Sequence, residues 1–332
     1  MKQFMGAFED IISVENLLEA WKEFIRGKRG KRDVQEFSLR LMDNILELHR
    51  ELSTGAYRHG GYYAFRISDP KPRQIHKASV RDRLVHHAIY RILYPFFDTL
   101  FIADSFSCRI GKGTHRALNR FRFFFRKVSR NNMRTCWVLK CDIRKFFESI
   151  DHTVLLFLLR RHIPDERILS LLQSIIQSFH AEQTSKGLPL GNLTSQLLVN
   201  IYMNEFDQFV KQRLKVRYYI RYADDFVLFS EDRGWLLEQI EPIKRFLSDE
   251  LRLTLHPHKM SITTVASGVD FLGWVHFPDH RILRTTTKRR MMNRIRTHPT
   301  RETINSYFGL LRYGNARKLR DKILKVYWMA SA

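Results

Sequence analysis

The chain has 332 residues, too many for one small domain and enough for two or three lobes around shared cores. Hydrophobic residues make up 44% of it, which excludes wholesale disorder. Lys and Arg number 57 against 34 Asp and Glu, a formal net charge of +23, so a polyanionic partner held by phosphate neutralisation is expected, with a basic surface serving solubility or a membrane face as the plainer alternative.

Residues 1–10 carry no basic segment followed by an apolar run, and no stretch of about 18 apolar residues follows anywhere, so neither a signal peptide nor a membrane span is expected. Residues 8–53 read as helical, with apolar residues at three- and four-residue spacing through Ile11, Val14, Leu17, Leu18, Trp21 and Ile25, then Phe37, Leu41, Ile45 and Leu48. The basic run from Arg26 to Arg32, with Gly27 and Gly30, interrupts them. Residues 60–77 suggest a hairpin or extended loop, and residues 79–99 a helix capped by Ser79. Cys108, Cys136 and Cys141 are odd in number and not spaced as Cys-x-x-Cys, which argues against a disulfide framework or a zinc site and for a reducing interior.

Residues 135–143 read as a strand ending at Asp142. Helices are expected over 152–180, 195–213 and 234–253. Between them, residues 216–230 read as two strands around a turn at Ala223-Asp224-Asp225, residues 261–285 return to strands, and a basic helical tail runs from 286. Strands mixed with helices in this order predict an α+β fold with helical additions. The expected divisions are 1–134, 135–285 with an interleaved segment at about 156–195, and 286–332.

The chemistry starts from Tyr222-Ala223-Asp224-Asp225 between apolar runs. Neighbours on a strand point to opposite faces, and a buried unpaired carboxylate is costly. Two adjacent acids at a hairpin tip fit an ordinary polar turn, and they fit equally a cradle in which a divalent cation supplies the counter-charge. Asp142, at the end of a second strand, tips the balance: two metal ions about 3.5–4 Å apart need carboxylates from more than one strand, and such a pair drives in-line phosphoryl transfer. Asp151, just before His152, reads instead as a helix cap.

With these acids the chain resembles a reverse transcriptase from about residue 50 to its end. Lys71-Pro72-Arg73-Gln74-Ile75 with Arg81-Asp82-Arg83 resembles the first fingers motif, and Asp104 to Arg109 with Gly111-Lys112-Gly113-Thr114 the second. Asp142 to Phe147 resembles the first palm motif, Gly187 to Gln196 the template and nucleotide loop, and Tyr222 to Asp225 the signature box. His258-Lys259 and Phe271-Leu272-Gly273-Trp274 resemble the closing palm motifs. The resemblance implies a right-hand polymerase of fingers, palm and helical thumb, working with two Mg²⁺ ions, for which Mn²⁺ can substitute. The ions belong to Asp142, Ile143, Asp224 and Asp225.

The same resemblance assigns the incoming dNTP to Lys71, Arg73, Phe147, Leu190, Gly191, Gln196, Tyr222 and Ala223. Phe147 excludes a 2′-hydroxyl in this reading, while a simple core Phe is the alternative. Lys259 is similar to a lysine that steadies the leaving pyrophosphate, with a solvated surface lysine as the alternative. Arg81 and Arg83 are expected in ion pairs. Arg289, Arg290, Arg294 and Arg312 are expected on the template RNA and the RNA/cDNA duplex, with Tyr307, Phe308 and Tyr313 mostly in the thumb core.

Leu190 stands where retroviral enzymes have Gln, and Gln196 where Pro usually follows the Ser. The strings Gly191 to Gln196 and Arg109 to Arg116 resemble reverse transcriptases of diversity-generating retroelements. That resemblance implies cDNA synthesis with errors at template adenines, a pentameric basic accessory protein, no membrane partner, and a cytoplasmic setting in a bacterial, archaeal or phage-encoded system. From the chain's length, no maturase or endonuclease extension and no RNase H domain is expected. A retron-like or group II-like enzyme is the runner-up, and a non-catalytic RNA-binding relative is the reading from another class.

Overall fold

The computed structural model describes residues 2–68, 72–179 and 185–331. In chain order it begins with α1 (Phe8–Ile12), α2 (Val14–Phe24), α3 (Arg32–Leu39) and α4 (Leu41–Ser53), then β1 (Tyr62–Ile67), β2 (Arg73–Ala78), α5 (Val80–Asp98) and α6 (Thr114–Val128). The middle of the chain holds β3 (Trp137–Asp142), α7 (Phe146–Ser149), α8 (His152–Arg160), α9 (Glu166–Gln177) and α10 (Leu193–Gln208), then β4 (Tyr219–Tyr222) and β5 (Asp225–Ser230). It closes with α11 (Arg233–Glu238), α12 (Ile240–Asp249), β6 (Ser261–Thr264), β7 (Val269–Phe271), β8 (Trp274–His276), β9 (Arg281–Leu283), α13 (Thr285–Thr297), α14 (Arg301–Leu311) and α15 (Arg317–Ser331). Among the described residues no helix is long and apolar enough to cross a membrane.

These elements form two compact units. Unit one takes Met1–Cys108, Ile143–Lys215 and Pro242–Leu255; unit two takes Arg109–Asp142, Val216–Glu241 and His256–Ala332.

In unit one, α2 buries Asn16, Leu17, Ala20, Trp21 and Phe24, a helical stripe, and packs it against α5. Ser79 caps α5 as expected, its Oγ accepting from Asp82 N–H at 3.1 Å. Asp82 is buried yet satisfied: it accepts from Tyr57 Oη at 2.8 Å, Ser79 Oγ at 2.7 Å and Gly60 N–H at 3.2 Å. This knot anchors the entry to the antiparallel β1–β2 hairpin. Arg81 pairs with Glu51, and Arg83 with Asp33 at 2.7 Å, so both arginines serve as ion-pair partners.

The helix expected over 152–180 is two helices. Pro164 separates them, and Asp165 caps the second by accepting from Arg167 N–H at 2.8 Å. Asp151 caps α8, with Oδ1 accepting from Thr153 and Val154 N–H at 3.0 and 3.2 Å. α10 is buried on nearly every side and runs into a π turn at Phe209–Arg213. Its Tyr202 hydroxyl donates to the Leu251 carbonyl at 2.6 Å, pinning the end of α12's segment.

In unit two, four strands form an antiparallel sheet in the order β4-β5-β3-β6, and β7-β8-β9 form a second. Val138, Leu139, Phe226, Val227, Leu228 and Phe229 are almost wholly buried. Residues 114–128, given no element from sequence, form α6. Its Ala117, Leu118, Phe121, Phe124, Phe125 and Val128 make one apolar face, packed on β4 and β5. Phe121 touches Phe229, Phe271 and His276 with ring centroids 4.8, 5.4 and 4.3 Å apart.

Candidate active site

The site grows out of strand register. β4 and β5 are joined by two residues, Ala223 and Asp224, and Ala223 adopts φ +54°, the left-handed conformation such a tight hairpin demands. Asp225 lies directly opposite Tyr222 on β4 and directly opposite Asp142 on β3. Opposed residues present side chains on one face, so Asp142, Asp225 and Tyr222 share an end of one sheet face, with Asp224 in the adjoining loop. Lys140, two residues before Asp142, shares that face.

Asp142 is 9% exposed and Asp225 is half-buried. Burial pushes the Asp225 carboxyl up to about 6. The nearby Asp224 and Asp142 push the same way, while Lys140 and Lys259 pull it down without cancelling the rise. Lys140 Nζ donates to the Asp270 carbonyl at 2.9 Å.

Lys259 reaches the site by a turn tied to Asp142 itself. The Asp142 carbonyl accepts from His256 N–H at 2.7 Å, the His256 carbonyl accepts from Lys259 N–H at 3.2 Å, and Lys259 Nζ returns to Asp142 Oδ1 at 2.7 Å. Sequence assigned this lysine to the leaving group; the structure gives it Asp142 as partner.

Arg221 escaped the sequence reading, and Thr114 entered it only within the second fingers motif. Arg221 is wholly buried, and its Nη1 donates to the Ala223 carbonyl at 3.2 Å, holding the strained turn from behind. The signal was present: a charge between Ile220 and Tyr222 points to the face opposite Asp225. Thr114, the first residue of α6, places Oγ1 3.0 Å from the Tyr222 hydroxyl.

The remaining nucleotide residues lie in unit one, apart from Lys71, which is outside the described residues. The Phe147 carbonyl accepts from Leu188 N–H at 2.8 Å, the Leu190 carbonyl accepts from His76 N–H at 3.0 Å, and Asn192 Nδ2 donates to the His76 carbonyl at 3.3 Å. Residues 187–192 thus lace the half-buried Phe147 to strand β2, on which Arg73 is exposed. Gly191 sits at φ +109°, where an added Cβ would stand 2.9 Å from Ile75 Cγ2, so both backbone and space require glycine. Gln196, half-buried in the first turn of α10, and the buried Ile143, bridged to Leu255, belong to the same unit.

Of the expected nucleic-acid residues, Arg289, Arg294 and Arg312 are exposed and Arg290 is half-buried. Met291, Met292 and Ile295 form the buried face of α13. Tyr313 stacks on His115 with centroids 3.4 Å apart, and Arg320 lies over Phe308.

Among the described residues no three His, Cys, Asp or Glu side chains stand as a ready-made metal cage. The donor chemistry nonetheless suits Mg²⁺: hard carboxylate oxygens from Asp142 and Asp225, gathered at one sheet end beside the Asp224 loop.

The family model for reverse transcriptase (RNA-dependent DNA polymerase) matches residues 68–276, more than half of the chain. The chain is 28% identical over 307 residues to the protein YkfC of Escherichia coli K12, covering 80% of this chain and 78% of YkfC. It is 25% identical over 298 residues to the group II intron-encoded protein LtrA of Lactococcus lactis subsp. cremoris, covering 69% of this chain and 47% of LtrA, so it spans about half that relative's length. It is 30% identical over 138 residues to an uncharacterised 91 kDa protein in a cob intron of Schizosaccharomyces pombe, covering 40% of this chain and 16% of that protein. The matched segment contains every one of Asp142, Asp224, Asp225 and Lys259, and the chain belongs to the reverse transcriptase (RNA-dependent DNA polymerase) family.

Proposed function

We propose that the chain copies an RNA template into cDNA, using Asp142, Asp224 and Asp225, with the main chain at Ile143, to hold two Mg²⁺ ions, for which Mn²⁺ can substitute. When bound, such ions activate the primer hydroxyl and steady the triphosphate charge. The observation that carries this reading is the register that sets Asp142 opposite Asp225 beside the Asp224 loop. Family membership supports it.

The chain's own residues divide the remaining work. Arg221 holds the Ala223 carbonyl and so fixes the angle at which the two loop-side carboxylates leave the sheet. Lys259 neutralises part of Asp142 and is placed to offset charge on the departing pyrophosphate. Phe147 excludes a ribose 2′-hydroxyl, and Arg73 with Lys71 clamps phosphate. Tyr222 and Ala223 border the primer end, while Leu190, Gly191 and Gln196 border the nucleotide. Exposed arginines of α13 with Arg312 grip the duplex backbone in a helical thumb.

The finer reading is a mutagenic retroelement enzyme, assisted by a pentameric basic accessory protein. Leu190 and Gln196 in the Gly187–Gln196 string support it. An apolar Leu190 cannot hydrogen-bond a nucleotide, so a mispair loses less against a correct pair. Sequencing cDNA made on a defined RNA tests this: errors concentrated at template adenines and reduced by Leu190→Gln agree, whereas faithful products move the assignment to a retron-like or group II-like enzyme, the latter favoured by the likeness to LtrA.

A further inference from the structure

We propose that unit two carries a phosphoryl-binding pocket separate from the aspartates, built by Arg122, Arg281, Arg312 and His276. The four residues line a partly enclosed cavity of about 260 Å³ between the later turns of α6, the β8–β9 hairpin and the α14–α15 connection. A water occupies about 30 Å³, so a phosphoryl group fits with its own hydration. Thr114, which touches Tyr222, and Arg122 are eight residues apart on α6, about 12 Å along the helix axis.

Two features point to an anion. First, three arginines line the cavity, and among the described residues no Asp or Glu does. Asp279, beside the hairpin tip, is engaged by Asn132 Nδ2 at 3.4 Å. Burial first, and then the charge of Arg122, hold the Arg281 guanidinium below its usual pKa. Second, polar atoms are left over. Arg281 is held by Nε to the Tyr313 carbonyl and by Nη2 to Asn119 Oδ1 at 3.5 Å, over the ring of Trp274, yet its Nη1 is buried without a partner. His276, 4% exposed and lining the same cavity, leaves Nε2 buried without a partner. Buried donors of this kind are ordinarily satisfied, and a guanidinium fork matches phosphate oxygens in pairs. As its Nε2–H tautomer, neutral His276 adds a donor without adding charge.

The phosphoryl group can be a free anion or part of a nucleic-acid backbone, and one experiment separates them without reading polymerase activity. Thermal unfolding of the full chain is followed against inorganic phosphate at constant ionic strength set with chloride. Binding of an RNA–DNA duplex is then measured across salt concentrations. Wild type is compared with Arg122→Gln, and with His276→Phe, which keeps the ring against Phe121. A saturable phosphate-dependent rise in Tm, weakened about tenfold or more in midpoint by either variant, supports a free-anion pocket. No phosphate response, with a salt slope for the duplex about one unit shallower in Arg122→Gln, supports the same pocket filled by a backbone phosphate. Wild type and both variants behaving alike in both arms overturns the proposal.

Discussion

Lys259 Nζ stands 2.7 Å from Asp142 Oδ1, and the carbonyl of that same aspartate accepts the His256 N–H that begins the turn carrying Lys259. One residue thus fixes both the lysine's backbone and its charged end. On the proposed function, the ammonium also competes for the carboxylate that would hold a cation. Lys259→Met is expected to lower the half-saturating Mg²⁺ concentration about two- to fivefold, because this partly exposed pair is worth no more than about 1 kcal/mol. If Lys259 also offsets leaving-group charge, kcat falls about a hundredfold. Mg²⁺ titrations of primer extension at saturating dNTP read both effects, and an unchanged Mg²⁺ dependence contradicts the competition.

Asp225 makes stability depend on pH in an unusual direction. Its folded pKa of about 6 lies above the ordinary aspartate value of about 3.9, so the folded chain binds that proton more tightly than the unfolded chain. The contribution is fully present below about pH 4 and is lost as pH rises to about 6. Asp225→Asn removes it. At pH 7.5 without divalent metal, the variant is expected to be more stable than wild type by about 1–2 kcal/mol, after allowance for partial exposure. Mg²⁺ should narrow that gap by stabilising wild type. Denaturant unfolding of both proteins from pH 4 to 7.5, with and without Mg²⁺, checks this; parallel curves contradict it.

Arg221, buried and bonded to the Ala223 carbonyl, is expected to act through the turn rather than on substrate. Arg221→Met removes the bond to the Ala223 carbonyl and is expected to cost about 2–3 kcal/mol of stability, as for other buried bonds to charged groups. A positioning role adds a second signature: kcat falls while the KM for dNTP changes little, and Arg221→Lys recovers part of kcat. Loss of stability with unchanged kcat at a permissive temperature would leave Arg221 a core residue only.

Gly191→Ala meets two obstacles, a φ of +109° and Ile75 Cγ2 at 2.9 Å. It is expected to raise the KM for dNTP at least tenfold. Adding Ile75→Ala opens the space and leaves the backbone strain of about 1–3 kcal/mol, so the double variant recovers only part of the loss. Full recovery would assign the whole effect to the contact.

Much of this architecture was legible in sequence because local signals agreed with the fold. Ser79 and Asp151 cap helices where their side chains predicted it, and the apolar runs around Ala223-Asp224 form the expected hairpin. α6 was hidden by its composition: five basic residues among Phe121, Phe124 and Phe125 masked a regular apolar stripe. Pro164 broke a helix whose periodicity continues past it. The pairing of Asp142 with Asp225, and of Lys259 with Asp142, could not be read from spacing, since strand register across 83 residues depends on tertiary packing. Arg221 was readable from strand alternation alone.

The most direct measurement is primer extension on a defined RNA template with Mg²⁺ and dNTPs, comparing wild type with Asp142→Asn, Asp224→Asn and Asp225→Asn. DNA product is expected to depend on the RNA template and to fall about a thousandfold or more in each variant, while circular dichroism shows each variant folded. Undiminished synthesis by any folded Asp142 or Asp225 variant would contradict the claim that this cross-strand pair of carboxylates carries the chemistry.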